Sequence, residues 1–405
     1  MNARRVARII IGAIATIAVS STPLPGQQAQ QRQGARQEAK TRRDWAVAMH
    51  RKGPPAKGCY TATYPATTWK KVQCVPAPKI PFIPRRGPRP VVVGNGDDIS
   101  AQTPSGTITQ TFGFFENVTN VTSETGLIGN SGAPVNDAYT LQINTNFMTS
   151  TACSGSPNAN CQGWEQFVYF NSGTAGAAFI QYWLLQFNAN CPAGWNQFVF
   201  TGGTDIYCFR NNSGGGVAVP NQPITNIGNW TLSGTASTTA DGIGMFDGTT
   251  LHSQAGDNSV NAASNWTSSE FNVFGAGGSA AGGGRANFNT GAQLDTRTEI
   301  IYGGSAAPNC LAQGTTGETN NLSFGPTAPA ATGPGPAVIF TQSIAGGARR
   351  TALRQLPSAI LISARSAVFS TTSRHRGILR WRRLHQALRC RLARCRVRQP
   401  GRMLQ

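Results

Sequence analysis

Short runs of alternating apolar and polar side chains recur between turn-rich segments through the middle of the chain. They read GTITQTFGFF, AYTLQINTNF, WEQFVYF, AFIQYWLLQF, NQFVFTG, NWTLSGTAS, SEFNVFGAG and RTEIIYG. A strand sends successive side chains to opposite faces, so this period predicts half-buried strands, and helical spacing is almost absent. Runs of this length and spacing predict an all-β fold over residues 96–325, an antiparallel β-sandwich or jelly roll built as a concanavalin-like double sheet. A segment of that size buries a substantial core as one domain.

The alternation sorts side chains before any register is known. Tyr139, Leu141 and Ile143 share one face, while Thr140, Gln142 and Asn144 share the other. Glu165, Phe167 and Tyr169 oppose Trp164, Gln166 and Val168. Phe179, Gln181, Trp183 and Leu185 oppose Tyr182 and Gln186, and Glu270, Asn272 and Phe274 oppose Phe271 and Val273. Carboxylates are depleted in strands, so Glu165 and Glu270 are candidates for chemistry.

The flanks read differently. Arg4, Arg5 and Arg8 precede an apolar run from Ile9 to Val19 and small residues at Ser20 and Ser21, which predicts a signal peptide over residues 1–21 and a secreted or extracytoplasmic protein. The run is short for a membrane span, and no membrane span is expected elsewhere. Residues 22–57 are basic and polar and predict disorder. Residues 58–75 form a small module closed by Cys59 and Cys74, read as part of a basic pro-region. Residues 76–95 are a Pro-rich linker, and residues 326–348 a Pro/Gly/Ala linker. Close sequence neighbours predict the disulfides Cys59–Cys74, Cys153–Cys161 and Cys191–Cys208, in keeping with an oxidising compartment.

Charge changes the picture at the C-terminus. The formal +19 of the chain sums unlike parts, because residues 346–405 carry 15 Arg with no acidic residue while residues 97–345 carry 3 Arg and 14 acidic residues. A single basic surface for nucleic acid is therefore not implied, and no nucleic-acid partner is expected. In the +2 reading frame, permitted codons from Arg350 to Trp381 encode a string containing GDTHLSTFGGLFYDF. That string resembles the opening of a von Willebrand factor type D domain, so residues 349–405 are read as an out-of-frame tail.

Most catalytic constellations lack parts. His252 is the one His between residues 51 and 370 and has no nucleophile elbow to serve, CxxC spacing is absent, and no phosphate loop occurs. Asp241, Asp247 and Asp257 are read as turn residues rather than calcium ligands. No metal or cofactor is called for.

The order LQINT, FIQYWLLQF, SEFNVFG resembles the three strand motifs of the glutamic peptidases (eqolisins). The aromatic strand lacks that family's acid, and the last motif has Phe271 and Asn272 where the family has Trp and Ile. The resemblance implies a double-sheet sandwich with Gln142 and Glu270 as a catalytic dyad, Tyr182 and Trp183 close by, a polypeptide substrate and a basic propeptide. A carboxylate serves as general base toward water and an amide N–H donates to an oxyanion. Glu165 is a competing carboxylate that would pair with Glu270. The alternative is a non-catalytic module binding a polysaccharide or surface, with Trp183, Tyr182, Trp164, Gln142, Asn144 and Gln181 as its contact face.

Overall fold

The computed structural model describes residues 25–86, 93–325 and 328–344. The signal-peptide and Arg-rich tail readings, and part of each linker, lie outside the described residues. The chain divides into two compact units, residues 1–41 and 42–405. What is described of the first is the start of a helix, α1, Pro25–Lys52.

Sixteen strands build the second unit's main framework. They are β1 Gly58–Thr63, β2 Lys70–Val72, β3 Ser100–Gln102, β4 Gln110–Thr119, β5 Ala138–Thr145, β6 Gln162–Ser172, β7 Gly176–Leu185 and β8 Asn196–Phe198. There follow β9 Tyr207–Asn211, β10 Thr231–Thr235, β11 Gly242–Phe246, β12 Thr250–Ala255, β13 Ser268–Gly275, β14 Gln293–Ile301, β15 Asn309–Leu311 and β16 Ala337–Ser343. One sheet runs β2-β1-β12-β11-β10-β4-β14-β16 and ends on the short strand Ser323–Phe324, with Ala330–Ala331 also on β16. The other runs β8-β9-β7-β6-β5-β13-β3-β15, with Val217–Val219 also on β7. Every pairing within these two sheets is antiparallel.

The sheets stack face to face as a β-sandwich. Between them lies one continuous core in which Tyr139, Leu141, Ile143, Phe167, Tyr169, Ile180, Tyr182, Phe271 and Val273 from one sheet meet Leu232, Ile243, Met245, Leu294 and Ile300 from the other. Two glycines set the approach of the layers. A Cβ at Gly113 would fall 2.0 Å from the Phe271 ring, and one at Gly234 would fall 2.4 Å from the Phe167 ring. Aromatic side chains of one sheet therefore press onto bare backbone of the other. Trp230 stacks on Tyr139 and Trp266 on Phe167 in the same layer.

Several expected boundaries are corrected. Residues 22–57 contain a helix rather than a disordered segment, because Gln, Arg and Ala have good helix propensity even without a continuous apolar stripe. Its end supplies what the stripe lacks: Ala46 and Met49 are buried against Ala62, Phe246 and Leu251 on the outer face of the first sheet. The module of residues 58–75 is not separate, since β1 pairs with β12 along its full length and Cys59 is buried in the main core. Residues 76–86 are not a free spacer but lie across the outer face of the second sheet. The last linker contains β16, which pairs with β14 from Gln293 to Glu299. In each case the main sheet presents unpaired edge or uncovered apolar surface that these flanks satisfy.

The three predicted disulfides are present: Cys59–Cys74, Cys153–Cys161 and Cys191–Cys208. Cys310 Sγ lies 3.4 Å from the Ala328 carbonyl oxygen. Among the described residues no helix is long and apolar enough to cross a membrane.

Candidate functional site

The outer face of the second sheet carries the polar side chains that alternation set opposite the core. β5 and β13 pair in a register that puts Gln142 across from Asn272 and Asn144 across from Glu270. β6 adds Gln166 across from Asn144. These amides form a chain. Asn144 Nδ2 donates to Gln142 Oε1 at 3.3 Å and to Glu270 Oε2 at 3.2 Å, and Gln166 Nε2 donates to Gln142 Oε1 and Asn144 Oδ1. Gln142 and Glu270 thus share one face and are joined through Asn144.

A loop closes over them. Glu270 Oε2 accepts from the Thr315 N–H at 2.8 Å, the Thr315 hydroxyl at 3.1 Å and the Thr316 N–H at 3.1 Å. The loop comes so near that a Cβ at Gly314 would fall 2.2 Å from Glu270 Oε1, so no larger residue fits there. That oxygen receives no N–H or hydroxyl.

Two further carboxyls complete the site, and neither was singled out from sequence. Asp98 is fully buried and accepts from Asn272 Nδ2 at 3.3 Å and from the Ile99 N–H at 2.7 Å. Burial first, and the neighbouring Glu270 charge second, push its carboxyl well above the ordinary range. Asp98 is thus the member of this carboxyl neighbourhood that burial and the adjacent charge keep protonated. Glu318 accepts from Gln142 Nε2 at 3.5 Å, from the Thr316 hydroxyl, and from the Ile83 N–H at 2.7 Å. Burial raises it to about 7 against these stabilising hydrogen bonds. The signal available in the sequence was scarcity: Asp98 and Glu318 are two of 14 acidic residues among residues 97–345, each in a Gly-rich or Thr-rich turn rather than a strand.

The other candidate residues divide by face. Gln181 and Trp183 lie on the site's side of β7, where Gln181 Oε1 accepts from Trp183 Nε1 at 3.1 Å. Tyr182 does not. It points between the sheets, and its hydroxyl donates to the Asp257 carbonyl at 2.6 Å. Glu165 does not pair with Glu270 either, because an odd offset on β6 sends it into the sandwich. There it meets Asp241, and burial followed by the Asp241 charge raises its carboxyl well above the usual range. Asp247 holds His252 at 3.1 Å and caps the Thr249 and Thr250 N–H groups, whereas Asp257 holds Arg210 at 2.9 Å.

A second strip of this face is aromatic. Trp183 stacks on Phe209, with Trp164, Phe198 and Phe200 in the same cluster. Next to it opens a cavity of about 380 Å³ lined by Arg85, Phe147, Gln162, Phe200, Asp205 and Tyr207, among others.

Fold and site together define an all-β sandwich protein with a buried amide-and-carboxyl face. No protein-family model matches the chain, and no curated protein matches it significantly.

Proposed function

We propose that the protein is a secreted hydrolase of the acid endopeptidase type, held here in a covered state. The observation that carries this reading is the buried Glu270 carboxyl joined through Asn144 to the Gln142 amide on one sheet face, with the Asp98 carboxyl as its neighbour. In this reading, Glu270 takes a proton from water as the water oxygen bonds to the substrate carbonyl carbon. Gln142 Nε2–H donates to the oxyanion that forms. Collapse breaks the C–N bond, and the proton passes from Glu270 to the departing amine. Asp98 is a positioning residue whose raised carboxyl stands protonated near Glu270.

The three disulfides and the Arg-led apolar run at Ile9–Val19 support export. The test is hydrolysis of a denatured polypeptide between pH 2 and 7 by the wild type and by Glu270→Gln. The variant is expected to lose the activity while keeping the fold. Equal digestion by both proteins overturns the reading.

One observation favours a second reading, a polysaccharide-binding module. The cavity beside the site combines aromatic rings with amides and a carboxylate, the mixture that stacks on and hydrogen-bonds to sugars. Retention on an immobilised polysaccharide that Tyr207→Ala abolishes would support it.

A further inference from the structure

The segment Val75–Arg86 crosses the polar and aromatic face as an extended chain, and the way it is held is informative. After Pro76, its prolines fall at Pro78, Pro81 and Pro84, one every third residue. That is the repeat of a polyproline II helix, which has three residues per turn and no internal hydrogen bonds. The free polar groups of such a chain must be met from outside, and here seven of them are met by the sheet face and its loops. Asn211 Nδ2 donates to the Pro78 carbonyl at 2.8 Å, and Gln181 Nε2 donates to the Ile80 carbonyl at 3.2 Å. The Gly278 N–H donates to the Pro81 carbonyl at 2.8 Å, and the Phe82 N–H donates to Gln181 Oε1 at 2.8 Å. The Ile83 N–H donates to Glu318, the Gly317 N–H donates to the Ile83 carbonyl at 2.7 Å, and the Arg85 N–H donates to the Thr315 carbonyl at 2.9 Å.

Side chains are seated as well. Phe82 is buried against Phe170 and Phe179 with Val168 and Ala276. Ile83 is buried in the cluster of Trp164 and Trp183. The Arg85 guanidinium lies over the Phe147 ring at 5.3 Å, and the Glu270 charge acts on it. Gln181 thus reads one residue's carbonyl and another's N–H through a single side-chain amide, while aromatic walls flank it. Aromatic-lined grooves with side-chain hydrogen-bonding groups are how proteins take proline-spaced peptides, whose ordered backbone loses little entropy on binding.

We propose that this face is a groove for extended, proline-spaced polypeptide from other proteins, and that Ala77–Arg86 occupies it in cis. The proposal rests on the reading of this face as a functional site and names its ligand class. It also assigns Gln181 as the residue that clamps the ligand backbone. The ligand would carry the pattern Pro-x-x-Pro-x-x-Pro, with an aromatic residue directly after the central proline and a basic residue after the last.

The probe is a fluorescein-labelled peptide of the sequence APKIPFIPRR, titrated by anisotropy against the full chain. Wild type is expected to bind it at least tenfold more weakly than Phe82→Ala, whose own strap has lost its anchor. Adding Gln181→Ala to Phe82→Ala is expected to weaken binding at least tenfold again. A folded Phe82→Ala protein that binds the peptide no better than wild type overturns the proposal, as does binding indifferent to Gln181→Ala. If Phe82→Ala does not fold, hydrogen exchange on wild type decides. The Phe82 and Ile83 amides are expected to exchange at least a hundredfold faster than those of Phe167 and Val168. Exchange of all four at one rate makes the strap a fixed part of the core and overturns the proposal. Binding without cleavage at any pH leaves the groove standing and removes the hydrolase reading. Hydrolysis with the strap amides still protected does the reverse.

Discussion

Raising the pH from 5 to 7 is expected to cost this protein at least about 5 kcal/mol of folding stability. Five buried carboxyls hold protons that the unfolded chain releases, and besides Asp98 and Glu165 three of them set a lower bound on the cost. Burial, the first cause for each, pushes Glu124 up from 4.5 to about 9, Glu318 from 4.5 to about 7, and Asp241 from 3.8 to about 7. A carboxyl whose folded pKa is raised contributes stability that is fully present below its unfolded pKa. That contribution is lost as the pH rises through the folded value, at about 1.4 kcal/mol per unit for each group. His50 works the other way. Burial lowers it from 6.5 to about 4, so the folded state gains about 1.4 kcal/mol per unit as the pH rises toward 6.5. The balance is a net of about two protons across the window, because Glu318 and Asp241 begin to release theirs toward pH 7 as the His50 contribution fades, which gives the figure above. Against a typical total of about 5–15 kcal/mol, this loss separates a folded from a marginal protein. Urea titrations followed by the fluorescence of the eight Trp residues at half-unit pH steps measure it directly. Glu124→Gln removes one titrating group far from the candidate dyad, so the variant should gain on wild type by about 2.7 kcal/mol between pH 5 and 7. Stability that is flat or rises over that window, or an unchanged slope in the variant, refutes the reasoning.

Gly113→Ala is expected to destabilise by about 1–3 kcal/mol, since its Cβ meets the Phe271 ring at 2.0 Å and the sheets must separate to admit it; thermal unfolding checks this. Replacing both Cys59 and Cys74 by Ser opens a loop of 15 residues and should cost about 3 kcal/mol. A denaturant midpoint equal to wild type would show that the β1–β12 pairing alone holds this edge. Loss of hydrolysis in Glu270→Gln with an unchanged unfolding midpoint checks the proposed dyad.

Much of the fold was legible because period-two alternation is a local property. Tyr139, Leu141 and Ile143 had to face the core if Gln142 and Asn144 did not, and short Cys spacing named each bridge. The site was legible only in part. Gln142, Asn144, Gln181, Trp183 and Glu270 fall on one face, but Tyr182 and Glu165 were drawn to it by proximity in sequence and point the other way. Alternation separates the two faces of a strand without saying which of them is buried, and it says nothing of register.

Sequence by itself therefore determined the strands, the sorting of side chains along each, the disulfide pairs and the scarcity of carboxyls between the basic flanks. Tertiary structure decided which acids meet. Asp98, Glu270 and Glu318 come from segments separated by up to 220 residues, and they converge because β3 pairs with β13 while the loop after β15 folds over both. Only that convergence excludes water, and only the exclusion of water makes a carboxyl hold its proton against its neighbour's charge. It also decided that a proline-spaced stretch with the look of a spacer lies in a groove, since Pro78, Pro81 and Pro84 fix the chain's extended form and nothing in them names the surface that will receive it.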